Sequence, residues 1–301
     1  GIFAVDAQRA FFTGLILIVL GVGFLKPNIS TMVGGLYKQG DGKRDIGFYI
    51  FYMGINVGAF LGALIVGAVA AKYGWHYGFG LAGIGMALGQ VMYMLGLKHL
   101  EGVGDFIGAQ DSPDKDLLKK PLTKVEKDRM LVMFLSFLII IVFWGAFEQA
   151  GGLMSLYTEQ KTDRLLSFTL PLIGNEIPAA VFQSINAFFI IVLAAFIGGF
   201  WFKWAKKGKE SSSLFKMEIG LIIMAFGFFF MSKASTEVVM DGDNVIEKSA
   251  MVWLVLAYLF HTIGELCASP VALSFITKLA PVKYAAFMMG AYFAATGLGN
   301  K

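Results

Sequence analysis

Apolar residues along this chain do not mark one face of each element; they fill whole runs. Eight runs stand out, roughly residues 11–37, 47–71, 75–97, 130–157, 178–204, 214–232, 250–276 and 284–299. A bilayer core takes about 20 mostly apolar residues per helix. A barrel strand would show about 10 residues of strict alternation instead. Runs this long and apolar on all sides predict an all-α integral membrane protein with about eight visible spans. Polar residues gather between the runs, most densely over 98–129.

Composition narrows the classes further. The 301 residues are 57% hydrophobic and 15% charged, whereas soluble domains carry about 25% charged residues. That argues against a water-soluble fold, and the high hydrophobicity excludes intrinsic disorder. One cysteine, Cys267, excludes a disulfide framework. With only His76, His99 and His261 beside it, no zinc ligand set is expected.

The net charge of +4 would suggest nucleic acid, but the positions of the basic residues explain it otherwise. Alternate connections, starting with the first, hold seventeen Lys and Arg, among them Lys43, Arg44, Lys120, Lys206, Lys216 and Lys278; the others hold six. Such asymmetry places the basic loops in the cytoplasm. No nucleic-acid partner is expected. Gly58-x-x-x-Gly62 and Gly85-x-x-x-Gly89 have the small-residue spacing of close helix packing. Gly83-Ile-Gly85 lies inside a span without a preceding strand, so it is no dinucleotide loop.

Both termini read as internal to a longer chain, because no Met opens the sequence and Asn300-Lys301 follows the last run directly. A weak internal echo supports this. Lys26-Pro27 in the first predicted helix has a counterpart in Glu265 and Pro270 in the seventh. Phe51-Tyr-Met-Gly54 in the second matches Phe287-Met-Met-Gly290 in the eighth. A six-helix parallel repeat is the plan of major facilitator transporters. On that plan 1–97 is part of an N-terminal half with three visible helices and 98–129 is a basic cytoplasmic linker. Residues 130–301 are then part of a C-terminal half with five helices, out of twelve or more in the whole.

Three charged residues stand out within the runs: Lys26, Glu148 and Glu265. Each costs about 2.5–3.5 kcal/mol at mid-membrane on insertion scales, so each needs a reason. They can lock helices together as ion pairs, or they can form a substrate and proton site. Neighbouring Gly and Pro residues, which free backbone groups to face a cavity, favour the second reading. A cation in one half and an anion in the other suit a zwitterion, its carboxylate toward Lys26 and its ammonium toward Glu265. Glu148 is then left to exchange a proton as its cationic partner comes and goes.

At these residues the sequence resembles the proton-dependent oligopeptide transporter family. The run Phe48-Tyr-Ile-Phe-Tyr52-Met-Gly-Ile-Asn56-Val-Gly58 is similar to that family's signature. Phe147-Glu148-Gln149, Phe182-Gln183-Ser184-Ile185-Asn186 and Gly264-Glu265-Leu-x-x-Ser269-Pro270 match further motifs. Gly290-Ala-Tyr292-Phe-Ala-Ala-Thr-Gly-Leu-Gly299-Asn300 matches another, with Tyr292 where the family usually has Trp. The likeness spans nearly the whole chain, covering family helices four to eleven. The first-helix motif Glu-x-x-Glu-Arg is not in this sequence.

The resemblance implies proton-coupled symport of di- and tripeptides by alternating access, in the bacterial inner membrane. The proton is then the coupling ion, and neither a cofactor, a metal nor an obligate protein partner is expected. It implies proton coupling at Glu148 and Lys26, with Lys26 also binding the peptide carboxylate. Tyr52 and Asn56 would contact the peptide backbone, Trp144 and Phe147 would line its side-chain pocket, and Asn186, Glu265 and Ser269 would hold its amino end. Tyr292 would join the substrate site.

Transport of another small anion or a drug in the same fold is the alternative, because fold does not fix substrate. A membrane-embedded enzyme is not expected, since His-Glu-x-x-His is missing and no Ser-His-Asp set converges. A channel is not expected either, for want of a repeated pore loop.

Overall fold

The computed structural model describes residues 2–38, 41–100, 102–104, 116, 119–170 and 174–300. Part of the polar 98–129 connection, residues 101, 105–115, 117 and 118, Lys115 among them, lies outside the described residues, as does Lys301. Among the described residues nine α-helices account for the apolar runs: α1 (Ile2–Gly35), α2 (Arg44–Tyr73), α3 (Trp75–Gly96), α4 (Lys124–Phe147), α5 (Leu153–Lys161), α6 (Ala179–Lys206), α7 (Ser213–Ser235), α8 (Met251–Leu279) and α9 (Ala285–Gly299). Among the described residues seven stretches are long and apolar enough to cross a bilayer, α4 and α5 together making one of them. The eighth run forms α9, whose 15 residues span about 22 Å at 1.5 Å per residue, short of a full crossing.

Local chemistry sets several boundaries. α4 begins at Lys124, inside the polar connection, because Thr123 and Glu126 form a capping box: Thr123 accepts from the Glu126 N–H, and the Glu126 carboxylate accepts from the Thr123 N–H. The long fourth run is not one helix. It breaks at Glu148–Ala150, a 3-10 turn, and the Glu148 carbonyl accepts from both Gly151 and Gly152 before α5 starts. Pro27 and Pro270, by contrast, stay inside α1 and α8.

Short strands, not expected from the apolar pattern, tie the connections opposite the basic ones. β1 (Thr162–Asp163) pairs in parallel with β6 (Ser249–Ala250), β2 (Leu165–Leu170) pairs with β3 (Gly174–Glu176), and β4 (Val239–Asp241) with β5 (Asn244–Glu247). The β4–β5 turn needs Gly242 at φ 57°, so the Asp241-Gly242 pair was its sequence signal. Nearby, Glu237 accepts from the Ala250 N–H (2.9 Å) and the Trp253 indole (2.6 Å), which hold its carboxyl below the usual carboxylate range. On the opposite face the basic connections meet. The Lys283 ammonium donates to the Lys120 carbonyl at 2.5 Å, and Gly104 packs on Met32.

α8 is the central helix, buried almost continuously from His261 to Ile276. It packs most closely on α7, and glycine makes that possible. A Cβ on Gly220 would lie 2.6 Å from the Gly264 carbonyl oxygen, and a Cβ on Gly264 would lie 2.6 Å from the Gly220 carbonyl oxygen. Gly145 of α4 and Gly299 of α9 repeat the device at 3.3 Å and 3.1 Å. Lipid gives helices no hydrophobic drive to associate, so van der Waals packing at close backbone approach takes its place.

The glycine pairs expected to pack, Gly58 with Gly62 and Gly85 with Gly89, meet nothing within 4 Å among the described residues. Their spacing shows that a helix has a small face, not that another helix covers it.

A methyl at Gly220 is therefore expected to destabilise the α7–α8 pair by about 1–3 kcal/mol, because it meets backbone that cannot rotate away. Gly199, where a Cβ meets nothing within 4 Å, is the control. Thermal unfolding in detergent should show a lower midpoint for Gly220→Ala and little change for Gly199→Ala.

Candidate functional site

Glu265 sits on α8 at the crossing with α2 and α6, and only 3% of its surface is exposed. Two neutral donors hold its carboxylate. The Tyr52 hydroxyl of α2 donates to Oε1, and the Asn186 amide of α6 donates to Oε2 at 2.7 Å. Asn186 also reaches Thr262 Oγ1 at 3.1 Å, and Thr262 donates back to the Tyr258 carbonyl. Ser269, one turn along α8 from Glu265, is buried beside the Tyr52 hydroxyl. Tyr292 of α9 is buried as well, against Phe137 and Phe293. Four of the expected site residues thus share one buried node, Tyr52, Asn186, Glu265 and Ser269, with Tyr292 packed in the same core cluster as α2 and α8.

The others lie around it. Asn56, one turn from Tyr52, donates to the Tyr52 carbonyl at 2.9 Å. Glu148 borders a cavity of about 200 Å³ together with Phe147, Gln183, Asn186 and Tyr258. Asn186 therefore touches both the Glu265 node and the Glu148 cavity. The Glu148 carboxylate makes no hydrogen bond or ion pair among the described residues. Phe147 stacks on Phe143 at 6.0 Å between centroids, and Trp144 meets Phe147 edge-on at 5.3 Å.

Lys26 is exposed on α1, with its ammonium 5.9 Å from the Phe293 ring centroid. It reaches toward α9 and makes no ion pair with Glu265. His261, one turn before Glu265, is a packed histidine: it lies 4.6 Å from Phe228 and fills the notch left by Gly227.

One polar cluster was missed because its members looked like loop charges. Asp45, in the first turn of α2, accepts from Lys216 of α7 at 2.8 Å and from Lys278 of α8 at 2.5 Å, and from Ser274 at 2.6 Å. Arg44 donates to the Thr277 carbonyl at 2.9 Å. Lys216 is not in a connection at all but buried in α7, 4% exposed. Its signal was its place inside the sixth run, 214–232, which begins just after the Ser212 cap.

Comparison with known proteins decides the family. The sequence pattern of the POT family matches residues 5–107 and 115–301. The chain belongs to the POT family. Among POT relatives, a peptide transporter, YePEPT, of Yersinia enterocolitica subsp. palearctica serotype O:3 (strain YE-P4) is 35% identical over 96% of this chain and 66% of the relative. A di-/tripeptide transporter of Lactococcus lactis subsp. lactis (strain IL1403) is 31% identical over 95% of this chain and 66% of its own length. The chain thus spans just under two thirds of the length of these curated relatives.

Solved POT structures share the fold. A peptide transporter POT variant in complex with alafosfalin is 31% identical with a TM-score of 0.65, covering 97% of this chain and 67% of that one. A POT family transporter in complex with 5-aminolevulinic acid is 26% identical with a TM-score of 0.66, covering 96% and 68%.

The Asp45 cluster makes an asymmetric prediction. Asp45→Ala leaves Lys216 buried without a counter-charge and is expected to cost about 3 kcal/mol. Lys278→Ala removes a partner that is 35% exposed and should cost about 1 kcal/mol or less. Unfolding midpoints of the two variants in one detergent would test the order; equal losses would contradict it.

Proposed function

We propose that the transporter carrying this chain is a proton-coupled symporter of di- and tripeptides that works by alternating access. One observation carries the reading: a buried carboxylate, Glu265, is held by neutral donors from α2 and α6 and has no cationic partner among the described residues. A carboxylate arranged in this way is suited to receive a substrate ammonium. Lys26, free of ion pairs and directed across toward α9, is suited to the substrate carboxylate.

Tyr52 and Asn56 then serve the peptide backbone. Trp144 and Phe147 form a side-chain pocket, and Asn186, Ser269 and Tyr292 complete the amino-end site. Glu148, at the break between α4 and α5 and beside a cavity shared with Asn186, is the proton-exchanging group with Lys26 as its complement. Residues 1–97 and 130–301 act as parts of two six-helix halves joined by 98–129. The basic connections face the cytoplasm of a bacterial cell, and the chain transports rather than catalyses.

The names of the Yersinia and Lactococcus relatives support a peptide substrate. The relative bound to 5-aminolevulinic acid supports a second reading, in which the amine and carboxylate pattern is recognised more strictly than the peptide bond. A small zwitterion of another kind would then be the cargo.

Two experiments in proteoliposomes test these roles. Capping the amino end removes the charge that Glu265 would bind, and a hydrogen bond to a charged group is worth about 1.5–3 kcal/mol. An N-acetylated dipeptide should therefore compete about tenfold to hundredfold more weakly than the free dipeptide, and equal competition would remove Glu265 from the amino-end role. Glu148→Gln fixes a neutral side chain. It should abolish uphill uptake driven by a proton gradient yet spare peptide exchange, which needs no net proton transfer. Accumulation that persists in the Gln variant would assign coupling elsewhere.

A further inference from the structure

Two cavities outside the site described above adjoin each other along the α2–α6 interface, and their walls change character from one to the next. The first, about 420 Å³, lies at the basic-loop end and is bounded by Asp45, Lys206, Lys216 and Lys278 with Trp201 and Phe202. Three ammonium groups face one carboxylate there, an excess of two positive charges. Lys206 has no acidic partner among the described residues; its ammonium sits 4.6 Å from the Phe202 ring centroid. Lys216 is buried.

The second cavity, about 180 Å³, shares Ile46 and Gly198 with the first and continues past Ile50, Met53, Ala194 and Ala195. Its walls are almost wholly apolar. From Ile46 to Met53 the groove descends about 10 Å along α2. It is open on its outer side, where Ile50 and Ala195 are exposed.

We infer that this groove binds an anionic phospholipid, its headgroup phosphate among Lys206, Lys216 and Lys278 and an acyl chain along Ile50 and Ala195. A basic end explains an anion, and free phosphate would satisfy it. The contiguous apolar part has no use for free phosphate and matches an amphiphile. Trp201 and Trp204 at this end of α6 stand where membrane-interface aromatics anchor helices, and basic pockets between helices are where anionic headgroups collect. Gly199, where a Cβ would meet nothing within 4 Å, keeps the α6 wall low enough for a chain to lie in it, while Gly198 admits the Tyr49 ring beside it. Because the phosphate meets the same lysines that Asp45 binds, the lipid sits against the polar cluster that ties α2 to α7 and α8.

Native mass spectrometry of the delipidated protein in detergent separates the sources of such an anion. The probes are phosphatidylglycerol, phosphatidylcholine and inorganic phosphate, each titrated singly. Phosphatidylglycerol is expected to bind saturably and more tightly than phosphatidylcholine. Lys206→Gln should weaken it about fivefold, the worth of one lysine near an anionic headgroup. Gly199→Leu, which fills space that is open at that position, should weaken phosphatidylglycerol and leave inorganic phosphate unchanged; Ala195→Leu is the second variant should the first fold poorly by circular dichroism.

Equal binding of the two lipids, unmoved by Lys206→Gln, would reduce the groove to ordinary lipid contact and overturn the inference. Inorganic phosphate binding as tightly as phosphatidylglycerol, with both groove variants silent, would overturn it in favour of a free anion.

Discussion

A carboxylate at membrane depth must find hydrogen-bond partners inside the protein, since lipid offers none, and Glu265 organises this molecule around that requirement. Its two oxygens draw Tyr52 from α2 and Asn186 from α6 onto α8. α8 becomes the axis of the bundle because it must stay wrapped by the helices that serve its carboxylate. On a neighbouring face Gly264 lets α7 approach backbone to backbone, about 100° around the helix from Glu265. The dry, close-packed side of α8 and its polar side are separated by one residue.

A second polar tie joins the same two helices nearer the basic face. Asp45 and Tyr52 are seven residues apart on α2, about 10 Å, and their partners Lys278 and Glu265 fall in the reverse order on α8. The helices therefore run antiparallel, pinned at two levels. Any motion that parts α2 from α8 must open both. For a transporter of the alternating-access type this is a sound place for resistance, because one tie contains the carboxylate proposed to bind substrate. The other is a largely buried charge cluster bordered by the proposed lipid groove.

The aromatic residues divide between these levels in a way that follows from their chemistry. Phe143, Trp144 and Phe147 pack ring against ring along α4 toward Glu148. Trp201 and Trp204 gather at the basic end of α6, with Lys209 4.2 Å from the Trp204 ring centroid. Ring faces there meet ammonium groups, an arrangement worth about 0.5–1 kcal/mol at exposed sites.

Much of this was legible in the sequence because membrane insertion is a local, additive property: each run must be apolar over its whole length, so eight runs could be counted without knowing how they pack. Glu265 stood out for a related reason, as a charge inside an apolar run, whereas Tyr52 and Asn186 were expected beside it only through the family resemblance. What tertiary structure alone decided was pairing. Lys26 and Glu265 have opposite charges and invite pairing, yet the structure gives Glu265 to Tyr52 and Asn186 and leaves Lys26 near Phe293. Lys216 read as a loop charge until its burial against Asp45 placed it in α7. Gly58 and Gly85 had the packing spacing without the contact, while Gly220 and Gly264, on different helices, make it. A sequence records which groups need partners, but a partner is chosen by which helix faces meet, and that is fixed by contacts between residues that lie from tens to more than two hundred positions apart.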